Sequence, residues 1–198
     1  INTGNNAAVP AGITTDISNQ PRIGESIVDM GAYENVHAKF RLYVNAANPI
    51  AGDGSSWLMA YQSLAQALEY ARTCNNVDTI FVAAGTYYPQ YDPFGFNPAD
   101  PRDKTLYIRD GVKIFGGFSG GELNLTDRNL AINTTILSGD IGTLNNRGDN
   151  SYHVMLSVND ATNTVIDGFT ITGGNANGTT PLTVENTTVQ RNVGGGIQ

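Results

Sequence analysis

The sequence predicts an all-β protein, a right-handed parallel β-helix (solenoid) with one short N-terminal capping α-helix. This prediction depends on a glycine-linked pair of β-rich runs at 163–175, on further β-rich runs along the chain, and on the lack of two-residue hairpin signals between them. In the 163–175 segment, Val165, Phe169 and Ile171 alternate with polar residues, as in strands with one buried face. We therefore expect these three side chains to point inward.

Short β-rich runs recur along the chain, and each is bounded by Gly, Asn, Asp or Pro. They lie at 41–45, 79–83, 112–118, 134–137, 153–158, 164–172 and 182–189. In the later runs, apolar positions recur about every 20 residues, a spacing found in repeat architectures. Parallel crossovers are right-handed in nearly all proteins, so we expect successive runs to stack as right-handed coils.

The one strong helical pattern is at 64–72. Ser63 opens a Ser-x-x-Gln capping box, and Leu64 and Leu68 belong to an apolar stripe at helical spacing. A solenoid needs a cover over the end of its core, so we expect this helix and Trp57 to form a structural cap. Ligand binding is the alternative role for Trp57.

Composition favours an extracellular protein and excludes several partners. The formal net charge is −7, the pI is about 4.6, and 23 glycines accompany many Asn and Thr residues. The 11 Lys and Arg residues are scattered, so no basic stripe indicates nucleic-acid binding. No apolar run has membrane-spanning length, so no membrane insertion is expected. The single cysteine, Cys74, excludes an internal disulfide and is expected to be buried.

A series of motifs links these segments to a known family. They are DGSSW at 53–57, SLAQAL at 63–68, DTIFVAAGTY at 78–87, GGF at 116–118, TILSGD at 135–140, SYHV at 151–154 and GGGI at 194–197. In this order the motifs resemble the entry of right-handed parallel β-helix (pectate-lyase-like) domains in large secreted or cell-surface proteins of Bacteroidetes-type bacteria. The resemblance covers most of the chain and implies fold more specifically than activity.

The first 34 residues carry a different signature. The motifs at 16–23 and 28–34 resemble the closing segment of such a domain. We therefore predict a closing segment of a preceding β-helix-type unit at 1–34, a linker at 35–40 and the N-terminal part of a truncated β-helix domain at 41–198. An irregular N-terminal arm is the alternative for 1–34. If the protein is secreted, its targeting segment is expected upstream.

An aromatic cluster lies in a proline-rich stretch after the second predicted strand. Long loops in compact folds are usually functional or disordered, and aromatic rings there suit sugar rings or another protein. The candidate ligand-binding residues are Tyr87, Tyr88, Tyr91, Phe94 and Phe96. The alternative is that these rings fold back to cover apolar strands.

Carboxylates near predicted turns suggest a metal. Asp140 and Asp149 are the candidate Ca²⁺ ligands, because carboxylate and backbone oxygens at turns are what this ion prefers. Asp160 and Asp167 lie in similar places, and turn formation is the alternative role for all four. No organic cofactor is indicated, and Ca²⁺ is the one ion that the pattern suggests.

No catalytic residues are assigned. A polysaccharide lyase would combine calcium-binding carboxylates with a nearby basic residue, and a glycoside hydrolase would need two facing carboxylates. Neither set appears within one predicted strand. His153 is expected to make a structural hydrogen bond, and His37 is too distant in sequence to suggest a shared metal site.

The expected function is a non-catalytic, cell-surface or secreted module that acts as a stalk or adhesive surface in a large multidomain bacterial protein. One alternative is the N-terminal part of a polysaccharide lyase or glycoside hydrolase, and another is a self-assembling extracellular filament subunit. A surface glycan or protein is the expected partner, with tandem copies or head-to-tail self-association. The resemblance also implies outer-surface localisation and export by the type 9 route.

Overall fold

A computed structural model describes residues 4–17, 22–23, 28, 31 and 40–198. The chain divides into two compact units, Ile1–Lys39 and Phe40–Gln198. Most of the predicted linker at 35–40, and much of the predicted closing segment before it, lie outside the described residues.

In the first unit, the described residues centre on a short 3₁₀ turn at Asn6–Ala8. The side chain of Asn5 caps this turn by accepting a hydrogen bond from the Ala7 N–H at 3.0 Å. Val28 joins the same region, because its N–H donates to Asn6 Oδ1 at 2.7 Å and its carbonyl accepts from Gly4 N.

The second unit contains one α-helix, α1 at Leu64–Thr73, and short strands. The strands are β1 Phe40–Val44, β2 Val77–Ala83, β3 Gly85–Tyr87, β4 Leu106–Tyr107, β5 Lys113–Phe118, β6 Thr135–Ser138, β7 Met155–Leu156, β8 Val165–Asp167, β9 Phe169–Thr172, β10 Leu182–Val184 and β11 Thr187–Val189. Further 3₁₀ turns lie at Pro101–Asp103, Leu125–Asp127 and Arg147–Asp149. The predicted helix is confirmed, and Ser63 Oγ caps it by accepting from the Gln66 N–H at 3.4 Å.

The strands form four separate sheets. The largest has the order β1-β2-β5-β8, and two others have the orders β3-β6-β9 and β4-β7, all with parallel pairing. The fourth sheet contains only the antiparallel pair β10-β11. The largest sheet fixes a row of facing residues across its strands: Leu42, Ile80, Ile114 and Ile166.

The main core is enclosed by this sheet, by α1 and by buried residues of the two smaller parallel sheets, such as Leu106, Leu137 and Met155. Leu42, Ile80 and Ile114 are fully buried, and Ile166 packs against them from the last strand. The helix supplies a large share of the same core, since Leu64 and Leu68 are among its five buried residues. Burial of such side chains stabilises by about 1.5–3 kcal/mol each, so the helix is a major contributor to the folded state.

The opposite face of the largest sheet carries aromatic residues. Successive side chains of a strand point to opposite faces, so Tyr43, Phe81 and Phe115, which are paired in register, form a second row. Phe81 and Phe118 stack with their ring centroids 4.2 Å apart, and Trp57 lies 5.6 Å from Phe118. Phe81 and Phe118 are fully buried, so both faces of the sheet contain buried side chains.

A loop at 119–133 covers part of this aromatic row. The Arg41 guanidinium lies 3.9 Å from the centroid of the Phe81 ring and donates to the Leu123 carbonyl at 2.9 Å. The indole N–H of Trp57 donates to the Glu122 carbonyl at 2.6 Å. At the far side of the sheet, Arg128 forms an ion pair with Asp167.

The β10-β11 hairpin turns at Glu185 and Asn186, which have positive φ values of 47° and 64°. Positive φ at both central residues is the geometry of a type I′ turn. The hairpin packs in a second small core with Tyr107 and Leu156, and the Tyr107 hydroxyl donates to Glu185 Oε1 at 2.8 Å.

The predicted all-β parallel β-helix is therefore wrong. The second unit is an α/β structure: α1 is part of the main core, the short strands fall into separate small sheets, and the described residues form no closed solenoid. One sheet is also an antiparallel hairpin, which the sequence did not signal because its turn contains no glycine.

Of the three residues predicted to point inward at 163–175, Val165 was predicted wrongly. Ile166, and not Val165, packs against the core, together with Phe169 and Ile171. Gly168 explains the shift, because its φ of 83° breaks the alternation between β8 and β9. Phe169 and Ile171 are as predicted.

Gly116 of β5 lies directly beside Gly168, the residue between β8 and β9. A Cβ added there would lie 2.4 Å from the Gly168 carbonyl oxygen, whereas a Cβ at Gly121 would meet nothing within 4 Å. We expect Gly116→Ala to lower the free energy of unfolding by about 1–3 kcal/mol, because the backbone must move apart. Urea unfolding should show this loss for Gly116→Ala and little change for the control Gly121→Ala; equal midpoints would contradict it.

Glu122 holds the covering loop by accepting from the N–H groups of Ser119, Gly120 and Gly121 at 2.6–3.0 Å. Burial opposes the charged form, but these donors outweigh it and lower the pKa of Glu122 to about 2. We expect Glu122→Gln to cost about 1 kcal/mol at pH 7, a value reduced by solvent screening.

The pH dependence of the free energy of unfolding tests this role of the Glu122 charge. The folded-state pKa of Glu122 lies below its ordinary value of 4.5, so its stabilisation is complete above that value and is lost as the pH falls toward 2. Unfolding curves of the two proteins should therefore differ at pH 7 and converge near pH 2. A difference that stays constant with pH would show that the charge has no role.

Candidate functional site

The predicted ligand-binding aromatics do not form one cluster. Tyr87 is only 2% exposed, and its hydroxyl donates to the Ala83 carbonyl at 3.0 Å and accepts from the Ala46 N–H at 3.2 Å. Phe94 and Phe96 are exposed at a turn held by the Asp92 carboxylate, which accepts from both of their N–H groups. The structure thus separates a buried ring from the exposed ones.

Tyr91 lies in a different place, beside α1. A groove of about 420 Å³ is lined by Gly52, Tyr61, Gln66, Glu69, Tyr70, Thr73 and Tyr91. A neighbouring hollow of about 400 Å³ shares Tyr61 and Tyr70 and adds Phe40, Asp53 and Ser55. We call this combined surface the tyrosine groove.

The helix positions the centre of the tyrosine groove. Gln66, Tyr70 and Thr73 follow at intervals of four and three residues, so they lie on one face of α1. The opposite face is buried, which forces this face toward solvent. The Tyr61 and Tyr70 rings lie 6.4 Å apart, and the Phe40 and Tyr70 rings are separated by the same distance.

Several polar groups of the tyrosine groove have no hydrogen-bond partner in the part of the chain that the structure describes. Within 40–198, the hydroxyls of Tyr61 and Tyr91 and the side-chain amide of Gln66 make no hydrogen bond. Tyr70 is 41% exposed. The groove therefore offers ring faces together with free donors and acceptors, the combination typical of small-molecule sites.

The charged groups of the groove are already engaged. Arg72 binds both carboxylate oxygens of Glu69 at 2.6 and 2.7 Å. The pKa of Asp53 is lowered by hydrogen bonds from Ser55. Burial, followed by the charge of Asp53, raises the pKa of Tyr61, and the neighbouring Cys74 thiol is the main cause of the raised pKa of Tyr70. Both phenols are therefore neutral at physiological pH.

The two predicted Ca²⁺ ligands lie in one loop. Asp140 lines a polar cavity of about 560 Å³ together with Asn145, Arg147 and Asn150. Asp149 belongs to the same segment and accepts from the Thr143 N–H at 2.8 Å. Asp160 and Asp167 lie elsewhere and bind Ser157 and Arg128.

The remaining predicted residues have structural surroundings. Leu64 and Leu68 are buried in the main core, whereas Trp57 packs against Tyr43 and Phe118 on the other face of the sheet. His153 is 6% exposed, and its Nδ1 lies 3.1 Å from the Gly194 carbonyl. Burial lowers the pKa of His153, so its ring is neutral at pH 7. Cys74 is a half-buried free thiol.

Tyr61, Gln66 and Tyr70 were not identified as binding candidates from the sequence. The available signal was the spacing of Gln66, Tyr70 and Thr73 on the solvent face of an otherwise well-patterned helix. Tyr61 precedes the helix and belongs to no such periodic pattern.

Comparison of the chain with protein-family models, curated proteins and solved structures gives no match. In the described part of the chain, no helix has the length and apolar character needed to cross a bilayer. Over the same residues, no three His, Cys, Asp or Glu side chains gather into a metal-binding group.

The surroundings of Tyr87 generate a stability prediction. Burial raises the pKa of Tyr87 to about 12, and its hydroxyl bridges two backbone groups. We expect Tyr87→Phe to lower the free energy of unfolding by about 1–2 kcal/mol, because the Ala83 carbonyl loses its shorter donor and the Ala46 N–H loses its acceptor. Tyr88→Phe is the control, since Tyr88 is 42% exposed. Chemical denaturation of both variants is the measurement, and equal stability of the two would contradict a structural role for the Tyr87 hydroxyl.

Proposed function

We propose that this chain is a non-catalytic module that binds neutral glycans through the tyrosine groove, within an extracellular or cell-surface protein. The observation that carries the proposal is the placement of Tyr61, Tyr70 and Tyr91 around a groove whose rim also holds Gln66 and Thr73.

The chemistry of the groove suits a sugar. A pyranose presents an apolar C–H face and a rim of hydroxyls, so it matches an aromatic ring surrounded by hydrogen-bonding groups. Tyrosine supplies a large amphipathic surface with few rotatable bonds, which keeps the entropy cost of binding low. The hydroxyls of Tyr61 and Tyr91 and the amide of Gln66 have no partner among the described residues, so they are free to bond with sugar hydroxyls.

Charge favours a neutral glycan over an acidic one. The groove carries the carboxylates of Asp53 and Glu69, and Arg41, which also lines it, is engaged with the Phe81 ring and the Leu123 carbonyl. A uronate would meet like charges without a free cation, and the chain as a whole has a net charge of −7.

The same carboxylates favour binding over hydrolysis. A glycosidase needs one carboxyl group with a raised pKa as general acid and a second as base or nucleophile. Asp53 has a lowered pKa, and both oxygens of Glu69 are held by Arg72. This pair therefore lacks the properties of a proton donor and a free nucleophile.

A comparison of two equally exposed tyrosines tests the proposal. Tyr70 is 41% exposed in the groove, and Tyr88 is 42% exposed outside it. A panel of neutral and uronate-containing glycans should first identify a neutral ligand for the unmodified protein. We expect Tyr70→Ala to weaken this binding at least about tenfold, because the stacking surface is lost, while Tyr88→Ala leaves it unchanged.

Isothermal titration calorimetry provides the dissociation constants. Alanine is a strong helix former, so Tyr70→Ala preserves α1, and circular dichroism verifies this. Binding that survives Tyr70→Ala, exclusive binding of uronates, or release of reducing or unsaturated ends would each overturn the proposal.

A further inference from the structure

The segment 139–151, which we call the Asp140 loop, concentrates buried oxygens that have no partner. The described residues contain six buried side-chain N or O atoms without a hydrogen bond. Four of them lie in this loop: Asp140 Oδ1, Asp149 Oδ1, Asn150 Oδ1 and Ser151 Oγ. A buried polar atom without a partner is costly, so four in one short segment call for a bound group.

The loop is held in shape by its own carboxylates. Asp140 Oδ2 accepts from the Asn145 N–H at 2.9 Å, and Asp149 Oδ2 accepts from the Thr143 N–H at 2.8 Å and from Asn146 Nδ2 at 3.0 Å. Each carboxylate therefore uses one oxygen inside the loop and keeps the other, Oδ1, unpaired.

The backbone brings the ends of the loop together. The Ser151 N–H donates to the Gly139 carbonyl at 2.9 Å, so the next residues inward, Asp140 and Asn150, are brought close together at the neck of the loop. Both line the cavity of about 560 Å³, and Asn150 is only 4% exposed. Asn150 thus places a buried amide oxygen without a partner in the wall of the same cavity that Asp140 lines.

The unpaired atoms are oxygens of carboxylate, amide and hydroxyl groups. Hard cations take such ligands, whereas Zn²⁺ prefers His and Cys, and the loop contains neither. Mg²⁺ demands a small octahedral shell and keeps several waters, while Ca²⁺ accepts six to eight oxygens in flexible geometry. A ligand set that mixes carboxylate, amide and hydroxyl oxygens, with water completing the shell, therefore fits Ca²⁺ best.

The positive charge of Arg147 opposes the binding of a cation in this cavity. It also lines the cavity, but its side chain is exposed, and no ion pair in the described structure includes it. Its guanidinium can move away at little cost, and its position lowers the affinity for a cation.

We propose that the Asp140 loop binds one Ca²⁺ ion through Asp140, Asp149 and Asn150. The ion offsets the two carboxylate charges and gives the buried oxygens a partner. Affinity in the range of extracellular calcium modules is expected, with a Kd of about 10⁻⁴–10⁻³ M. The site is separate from the tyrosine groove, so its presence or absence is independent of glycan binding.

Calorimetric titration of the chelator-treated protein with CaCl₂ and with MgCl₂ tests the site. We expect one Ca²⁺ per chain, weaker or no binding of Mg²⁺, and a rise in Tm of about 3–6 °C at a Ca²⁺ concentration ten times Kd. Absence of Ca²⁺ binding at millimolar concentration, or equal binding of both ions, would overturn the proposal.

Three variants locate the ion. Asp140→Asn keeps the shape of the side chain but removes its charge, so the Tm rise with Ca²⁺ should disappear. Asp160→Asn is the matched control, because Asp160 also accepts hydroxyl hydrogen bonds in a loop outside the site; it should behave as the unmodified protein.

Arg147→Gln should tighten Ca²⁺ binding several-fold by removing the opposing charge. If Arg147 were instead the natural partner of Asp140, Arg147→Gln would lower Tm in chelator and leave the affinity for Ca²⁺ unchanged, which contradicts the proposal. Asp140→Asn that retains the full Tm rise would also contradict it.

Discussion

The structure of the second unit depends on burial at both faces of the sheet β1-β2-β5-β8. One face carries the row of Leu42, Ile80 and Ile114, which is buried in the core that α1 and the smaller parallel sheets complete, and the other carries the aromatic row that includes Phe81. A sheet of four short strands has little stability unless its side chains are removed from water. The helix and the loop at 119–133 provide these two covers by different means. The helix packs aliphatic side chains, whereas the loop uses hydrogen bonds and a cation–π contact at Arg41.

The position of the candidate glycan site follows from the packing of α1 on the core. Because α1 buries Leu64 and Leu68, its remaining face must lie in solvent, and Gln66 and Tyr70 lie on that face. The groove is therefore built on a helix that the core holds in place, and a rigid support keeps the rings in position for a ligand. The Asp140 loop has another kind of support, since its own carboxylates and the backbone pairing at its neck define it.

Much of the local structure could be predicted from the sequence, and the assembly could not. Apolar periodicity located α1 and the main strands, because burial of one face imposes a period that a single chain reveals. The prediction of a closed solenoid was wrong because the same pattern fits short strands in separate sheets, and because Glu185 adopts a positive φ that its residue type does not signal. The residues of the tyrosine groove come from distant segments, so only the folded chain shows them together. Asp140 and Asp149 could be suggested as a pair, but the unpartnered oxygen of Asn150 is visible only in three dimensions.

Strand β8 is an edge strand of the largest sheet, and the length, bend and charge of an edge strand affect how readily a protein aggregates at high concentration. An exposed margin offers free backbone donors and acceptors that can recruit another molecule and begin aggregation. Here the margin is only Val165–Asp167, the chain bends immediately at Gly168, and Asp167 carries a charge that Arg128 holds in place. A short, bent and charged border is a poor template for an incoming strand. The bend at Gly168 and the Arg128–Asp167 ion pair therefore leave little straight, uncharged backbone at this border for another strand to pair with.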